Sequence, residues 1–247
     1  MAAYFHKRGW DVLAWNYRSC SGEMNRALRL YHHGVTDDLH TVISHGLSLN
    51  YEQAALSGFS MGGSTTLKYL GEKGDALDSR IVAAAVFSVP CNLWDSAVQL
   101  TLKGNRYYKN RFLKKLIKKV KHKAEIHPDQ IDITGIDSIT TFAEFDERYT
   151  APLHGFKDAQ DFYLTSTSDR FYHNIKIPTL IVNAKNDPML GEKCYPYDLT
   201  KNHEFLYLEI PDHGGHVGFS LKRKKHSWME LRAFEFISDH LKSTPPT

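Results

Sequence analysis

The chain has 247 residues, with 31 lysines and arginines against 28 acidic residues, a net charge of +3 that is too slight to point to nucleic acid. With 42% hydrophobic and 24% charged residues it has the composition of a globular protein that buries a large core. No apolar run approaches the ~20 residues of a bilayer span, no apolar leader stands where His6, Lys7 and Arg8 fall, and Cys20, Cys91 and Cys194 are too few and too scattered for a disulfide framework, so a reducing, cytoplasmic setting is expected.

Ala2 to Gly9 reads as the last turns of a helix, basic at its negative end and closed by glycine. Asp11–Tyr17 is apolar and aromatic enough for a buried strand. Thr36 is placed to cap a helix whose inward stripe is Leu39, Val42, Ile43, Gly46 and Leu47. An apolar run from Ala54 then leads into Gly58-Phe59-Ser60-Met61-Gly62, followed by helical spacing. Strand, tight turn and helix are the context in which G-x-S-x-G presents a nucleophilic serine. Gly58 and Gly62 are expected to avoid Cβ collisions across the turn, and the helix N-terminus beneath Ser60 favours developing negative charge. The bland alternative is a glycine-rich turn with a bystander serine.

Residues 81–89, 179–183 and 204–210 read as further apolar strands, and Ser227 with Glu230 forms a capping box for a terminal helix with Trp228, Leu231, Phe234, Ile237 and Leu241 inward. Strands alternating with helices predict a mainly parallel α/β sheet covered on both faces. Residues 91–178 show helical periodicity and no convincing strand, so the expected division is a core of 1–90 and 179–242, a helical cap at 91–178, and a disordered tail at 243–247.

A serine hydroxyl needs a base, and the base an orienting acid. Asp187 follows the strand at 179–183, and His216 follows the last strand in a glycine-rich loop, giving the chain order Ser, Asp, His of this architecture. The predicted triad is Ser60, Asp187 and His216, with the Met61 backbone N–H as one oxyanion donor. The rivals are Asn186-Asp187-Pro188 as a plain turn, His213 as the base, and His213 with His216 as zinc ligands. The last lacks a third ligand at convincing spacing. No metal or organic cofactor is expected.

Several long strings resemble the YheT-type (embryogenesis-associated) family of α/β-hydrolases. They are 16–26 (Asn16-Tyr17-Arg18 onward), Tyr31-His32-His33-Gly34, Gly58 to Gly63, 145–156 (Phe145-Asp146-Glu147-Arg148-Tyr149-Thr150 onward) and His213 to Phe219. The resemblance implies the α/β-hydrolase fold, carboxylic-ester hydrolysis, and the triad on Ser60, Asp187 and His216. It also implies earlier strands and a His-Gly loop lending the second oxyanion donor; this sequence starts after them. The missing strand would lie between 11–17 and the nucleophile strand, so either those two close up or stability and activity suffer.

Lys109 to Lys123 reads as a basic amphipathic helix, with Phe112, Leu113, Leu116, Ile117 and Val120 on one face. It reads as a cap helix with a solvated basic side, or as attachment to an anionic membrane surface through Lys114, Lys115, Lys118 and Lys119, with Lys222 to Lys225 adding to it. Arg18 and Glu23 are expected to pair, Cys20 and Cys91 to be buried, and Tyr107, Tyr108, Phe156, Phe162 and Tyr163 to line an acyl pocket or the cap core. The leading expectation is a serine esterase for short- or medium-chain or lipid-like esters, peripheral to the membrane in one reading. A silent surface-binding protein and an acyltransferase are the alternatives.

Overall fold

The computed structural model describes residues 1–241; the tail expected at 243–247 lies outside the described residues. The elements run α1 (Ala2–His6), α2 (Thr36–Leu47), β1 (Ala54–Phe59), α3 (Met61–Lys73), β2 (Ile81–Phe87), α4 (Leu93–Gln99), α5 (Arg106–Ile126), α6 (Phe142–Phe145), α7 (Ala151–His154), α8 (Ala159–Ser166), β3 (Thr179–Val182), α9 (Tyr197–Thr200), β4 (Leu206–Glu209) and α10 (Trp228–Asp239). A π-helical turn, Asp146–Thr150, joins α6 to α7.

The four strands are parallel in the order β1-β2-β3-β4, with Phe59, Phe87, Val182 and Glu209 in register at their carboxyl ends. Each strand is a short apolar run because both sheet faces are covered. On β2, Ala84 and Val86 face Leu39, Ile43 and Leu67 of α2 and α3, while Ala85 and Phe87 face Phe5 of α1 and Phe236 and Ile237 of α10. Fully burying a Val, Ile or Phe side chain stabilises by about 1.5–3 kcal/mol, so this wholly buried strand anchors the sheet.

Three local expectations give way. Asp11–Tyr17 forms no strand, with Val12 and Leu13 exposed; it does not pair with β1. A strand exists only through its ladder, and apolar character does not supply a neighbour. Trp15 packs on the α2–α3 core instead, and the Tyr17 hydroxyl lies 2.9 Å from Thr65 Oγ1. Val35, not Thr36, occupies the α2 cap position, because the Thr36 hydroxyl donates to Glu72 of α3 at 2.5 Å. In α10 the capping box of Ser227 and Glu230 forms, but the buried stripe is Ala233, Phe236 and Ile237, with Leu231 and Leu241 exposed.

Between β2 and β3 no strand occurs among the described residues. Helices α5 to α7 and the π turn bury Leu113, Val120, Phe145 and Tyr149 together with Leu30. Tyr172 and Ile175, at the end of this stretch, pack with α2 and α3 in the sheet core. Lys123, expected on the solvated side of α5, is buried. Its ammonium donates to the Asn25 carbonyl, to Asn25 Oδ1 at 2.9 Å and to the Ala27 carbonyl at 2.8 Å, tying α5 to the loop after residue 18.

Candidate active site

Ser60 sits between the end of β1 and the start of α3 with φ +50° and ψ −119°, a conformation that costs a non-glycine residue on the order of 1–3 kcal/mol. Its N–H donates to the Phe87 carbonyl at 2.9 Å, so the adjacent strand holds the strained residue in place. A Cβ on Gly58 would lie 2.5 Å from the Gly62 carbonyl oxygen, which fixes glycine there. Gly62 itself has room for a Cβ, against expectation; the second obligatory glycine is Gly63, where a Cβ would meet Val89 Cγ2 at 2.6 Å.

The loop after β3 carries Asp187. Buried Asn183 spans from the end of β2 to this loop, accepting from Val89 N–H at 2.7 Å and donating to the Val89 and Cys194 carbonyls. The Asp187 side chain is buried, and its Oδ1 accepts from Met189 N–H at 2.9 Å. The loop after β4 carries His216. Asn186 Oδ1 accepts from both Gly214 and Gly215 N–H, at 2.9 and 2.8 Å, and Ser88 Oγ accepts from Val217 N–H at 2.9 Å. Val217 and Phe219 are held at φ +61° and +45°, so the loop is pinned rather than relaxed.

These loops bring the three predicted residues together. His216 Nδ1 lies 2.9 and 3.1 Å from the two oxygens of Asp187, and its Nε2 lies 2.9 Å from Ser60 Oγ. A carboxylate only accepts, so Nδ1–H donates to Asp187 and Nε2 is left to accept from the serine hydroxyl. His213, the rival base, is exposed, and its neighbour Asp212 pairs with Lys185 at 2.7 Å. Met61 is the first residue of α3, where a backbone N–H has no partner within the helix.

A cavity of about 330 Å³ opens onto Ser60, Met61 and His216. Its walls are mostly apolar: Leu93, Leu100, Leu116, Val120 and Leu153 with Phe112, Phe142, Phe145, Phe162 and Tyr163. Of the five aromatics expected to line a pocket or pack in the helical stretch, Phe162 and Tyr163 line the cavity, Phe156 packs against them, and Tyr107 is exposed. Three histidines, His32, His33 and His154, also face it, and burial pushes His32 down to about 3 and His33 down to about 4, so both are neutral at pH 7. Asp146 accepts from Thr150 Oγ1 at 2.5 Å and from the Tyr163 hydroxyl at 2.7 Å, and burial raises its carboxyl to about 6.

Sequence reasoning missed Asn183, Asn186 and Ser88, whose task is to position the loops of the other residues; the Asn186 signal was read only as a turn. Arg18 pairs with Asp38, not with exposed Glu23, because α2 presents its first-turn carboxylate closer. Cys20 is exposed, unlike Cys91 and Cys194. Lys119 is drawn off the solvated face, with its ammonium 2.9 Å from Cys20 Sγ and 4.3 Å from the centre of the Tyr31 ring.

The α/β hydrolase fold family matches residues 1–222, and with the YheT relationship below this makes the chain a member of that family, in its YheT-type branch. The Escherichia coli protein YheT, to which esterase activity is ascribed, is 30% identical over 96% of this chain and 70% of its own length. The Mus musculus phospholipase ABHD3 is 31% identical over 85% of this chain, which spans about half (51%) of that protein. Among solved structures, the Pyrococcus furiosus esterase Pf2001 superposes with a TM-score of 0.57 over 97% of this chain and 74% of its own, at 15% identity, a likeness of fold alone.

Proposed function

We propose that this chain is a serine hydrolase of carboxylic esters, with Ser60 as nucleophile, His216 as general base and acid, and Asp187 as the group that orients His216. The observation that carries the reading is the unbroken chain of contacts, 2.9 Å from Ser60 Oγ to His216 Nε2 and 2.9 Å from His216 Nδ1 to Asp187. Ser60 Oγ attacks the ester carbonyl as its proton passes to His216 Nε2. The oxyanion is held by the Met61 N–H. Collapse expels the alcohol, protonated by His216, and leaves an acyl-enzyme. Water, deprotonated by the same imidazole, attacks the acyl carbonyl and releases the acid.

The apolar cavity is at the small end of the range for ligand pockets, which supports a short or medium acyl chain. Relatives named esterase and phospholipase support an ester or lipid-like substrate. Residues 91–178 are proposed as the cap over this cavity. A surface role for the cap goes with it: Lys114, Lys115 and Lys118 are exposed on α5, while Lys119 turns to Cys20 and Tyr31, and Trp94, Val98 and Leu102 expose apolar side chains four residues apart. That combination suits a protein resting on an anionic bilayer from the cytoplasmic side. No helix among the described residues is long and apolar enough to cross a membrane.

The test is capture by a fluorophosphonate probe. Wild-type protein is expected to be labelled on Ser60, and Ser60→Ala to lose both labelling and ester hydrolysis. Folded wild-type protein that takes no label would favour the silent surface-binding alternative.

A further inference from the structure

Cys20 and Lys119 meet away from the triad and have no task in the mechanism above. Cys20 sits in the turn that follows Tyr17. Its N–H donates to the Tyr17 carbonyl at 3.0 Å, and Ser19 before it is held at φ +59°. That turn leaves the thiol exposed, whereas Cys91 and Cys194 are buried. The Lys119 ammonium, on α5, lies 2.9 Å from Cys20 Sγ and 4.3 Å from the centre of the Tyr31 ring.

The contact is held from both sides. On the loop, Arg18 pairs with Asp38 of α2, and Ser19 Oγ donates to Asn25 Oδ1 at 2.6 Å, so the segment carrying the thiol is fastened before and after it. On the helix, Lys123 follows Lys119 by one turn and shares its face. The Lys123 ammonium donates to Asn25 Oδ1 at 2.9 Å and to the Ala27 carbonyl at 2.8 Å. Two lysines of α5 therefore reach onto one loop, and Lys123 finds oxygens where Lys119 finds sulfur. The aromatic face under Lys119 brings no anion, because burial raises the Tyr31 phenol above its usual value and keeps it protonated. An exposed thiol beside a positive charge is the setting in which cysteines react with peroxides.

We propose that Cys20 and Lys119 form a modification site at which a peroxide joins sulfur to nitrogen as a reversible sulfenamide. Cys20 Sγ attacks one oxygen of hydrogen peroxide. The O–O bond breaks, sulfur is oxidised to the sulfenic acid, and the other oxygen leaves as water with the thiol proton. Lys119 Nζ gives one proton to solvent and attacks Sγ. The S–N bond forms, the S–O bond breaks, and the departing hydroxide takes a second proton from nitrogen to leave as water. The peroxide is the sole oxidant, and sulfur keeps its oxidation state in the second step. The flexible stem of lysine lets the nitrogen close on the sulfur from 2.9 Å. A dithiol reverses the bond by attacking Sγ, which frees the amine and the thiol and leaves the dithiol as its disulfide. The link fastens to this loop the helix whose Leu116 and Val120, flanking Lys119, line the catalytic cavity together with Tyr31.

The experiment adds hydrogen peroxide stepwise to the full chain, blocks remaining thiols with iodoacetamide, and reads protease digests by mass spectrometry with and without dithiothreitol. In wild type the peptides of Cys20 and Lys119 are expected to appear joined, lighter than their sum by two hydrogens, and to separate again in dithiothreitol. Lys119→Arg keeps the charge but removes the attacking amine. It should give no joined peptide and leave a sulfenic acid on Cys20 that dimedone captures, with melting temperatures showing that the variant is folded. Folded wild-type protein whose Cys20 is captured by dimedone, passes to the sulfinic acid or stays unoxidised, with no joined peptide, overturns the inference. So does joining of Cys20 to Lys115 or Lys118 in equal amount, or a joined peptide that persists in Lys119→Arg. The readout is a covalent mass, so the result is independent of whether Ser60 hydrolyses esters.

Discussion

Ser60, Asp187 and His216 are far apart in sequence, and each depends on a neighbour that carries no chemistry. Asn186 holds the His216 loop through two backbone N–H groups, so Asn186→Ala is expected to lower kcat more than it raises KM, and stopped assays across several ester lengths would show this. Asp187→Asn keeps the shape but offers an amide that favours the wrong imidazole tautomer; a fall in kcat on the order of 10⁴-fold is expected, read from steady-state hydrolysis. Asp146 gives a pH signature. Its carboxyl is raised by burial from 3.8 to about 6, so the folded protein binds a proton that the unfolded chain has already lost in that window. Stability should therefore fall as pH rises from about 4 through about 6, and Asp146→Asn should flatten that slope in melting curves. At this scale the three residues that meet in the structure, Ser60, Asp187 and His216, were legible, because their spacing to strand ends is a chemical pattern. The supporting asparagines were not, because their partners lie on other strands and leave no trace in local sequence.

Elements show the same division. The elbow from β1 to α3 was legible from its glycines, yet the reason for each differs: Gly58 and Gly63 are fixed by contacts a Cβ would violate, and Gly62 is not. Gly58→Ala is expected to destabilise by about 1–3 kcal/mol and to reduce labelling of Ser60, measured by denaturation and probe capture side by side. Helix α5 was legible as amphipathic, but its period assigned Lys123 to solvent. The lysine turns inward because loop carbonyls at Asn25 and Ala27 lie where its ammonium can reach them. Lys123→Met should leave those acceptors unsatisfied and cost about 1–3 kcal/mol, read from the urea midpoint. Asp11–Tyr17 is the opposite case, since composition alone favoured a strand and pairing, which composition does not encode, is absent.

For the molecule as a whole, alternation of apolar runs with helical segments gave the parallel sheet and its two covered faces. The placement of the aromatics of residues 91–178 was beyond reach, since every aromatic in a helical segment looks alike until the cavity is formed. If the basic and apolar face of the cap meets a bilayer, vesicles rich in anionic lipid should sediment the protein at low salt. Lys114→Glu with Lys118→Glu, or raised ionic strength, should release it. The sheet carries one more consequence. β1, which leads into Ser60, is hydrogen-bonded to β2 on one side and has no strand on the other among the described residues. A row of peptide groups free to pair is a template for recruiting further chains, so protein concentration itself becomes a variable. Light scattering should rise with concentration, and a proline placed at exposed Ser57 should suppress that growth.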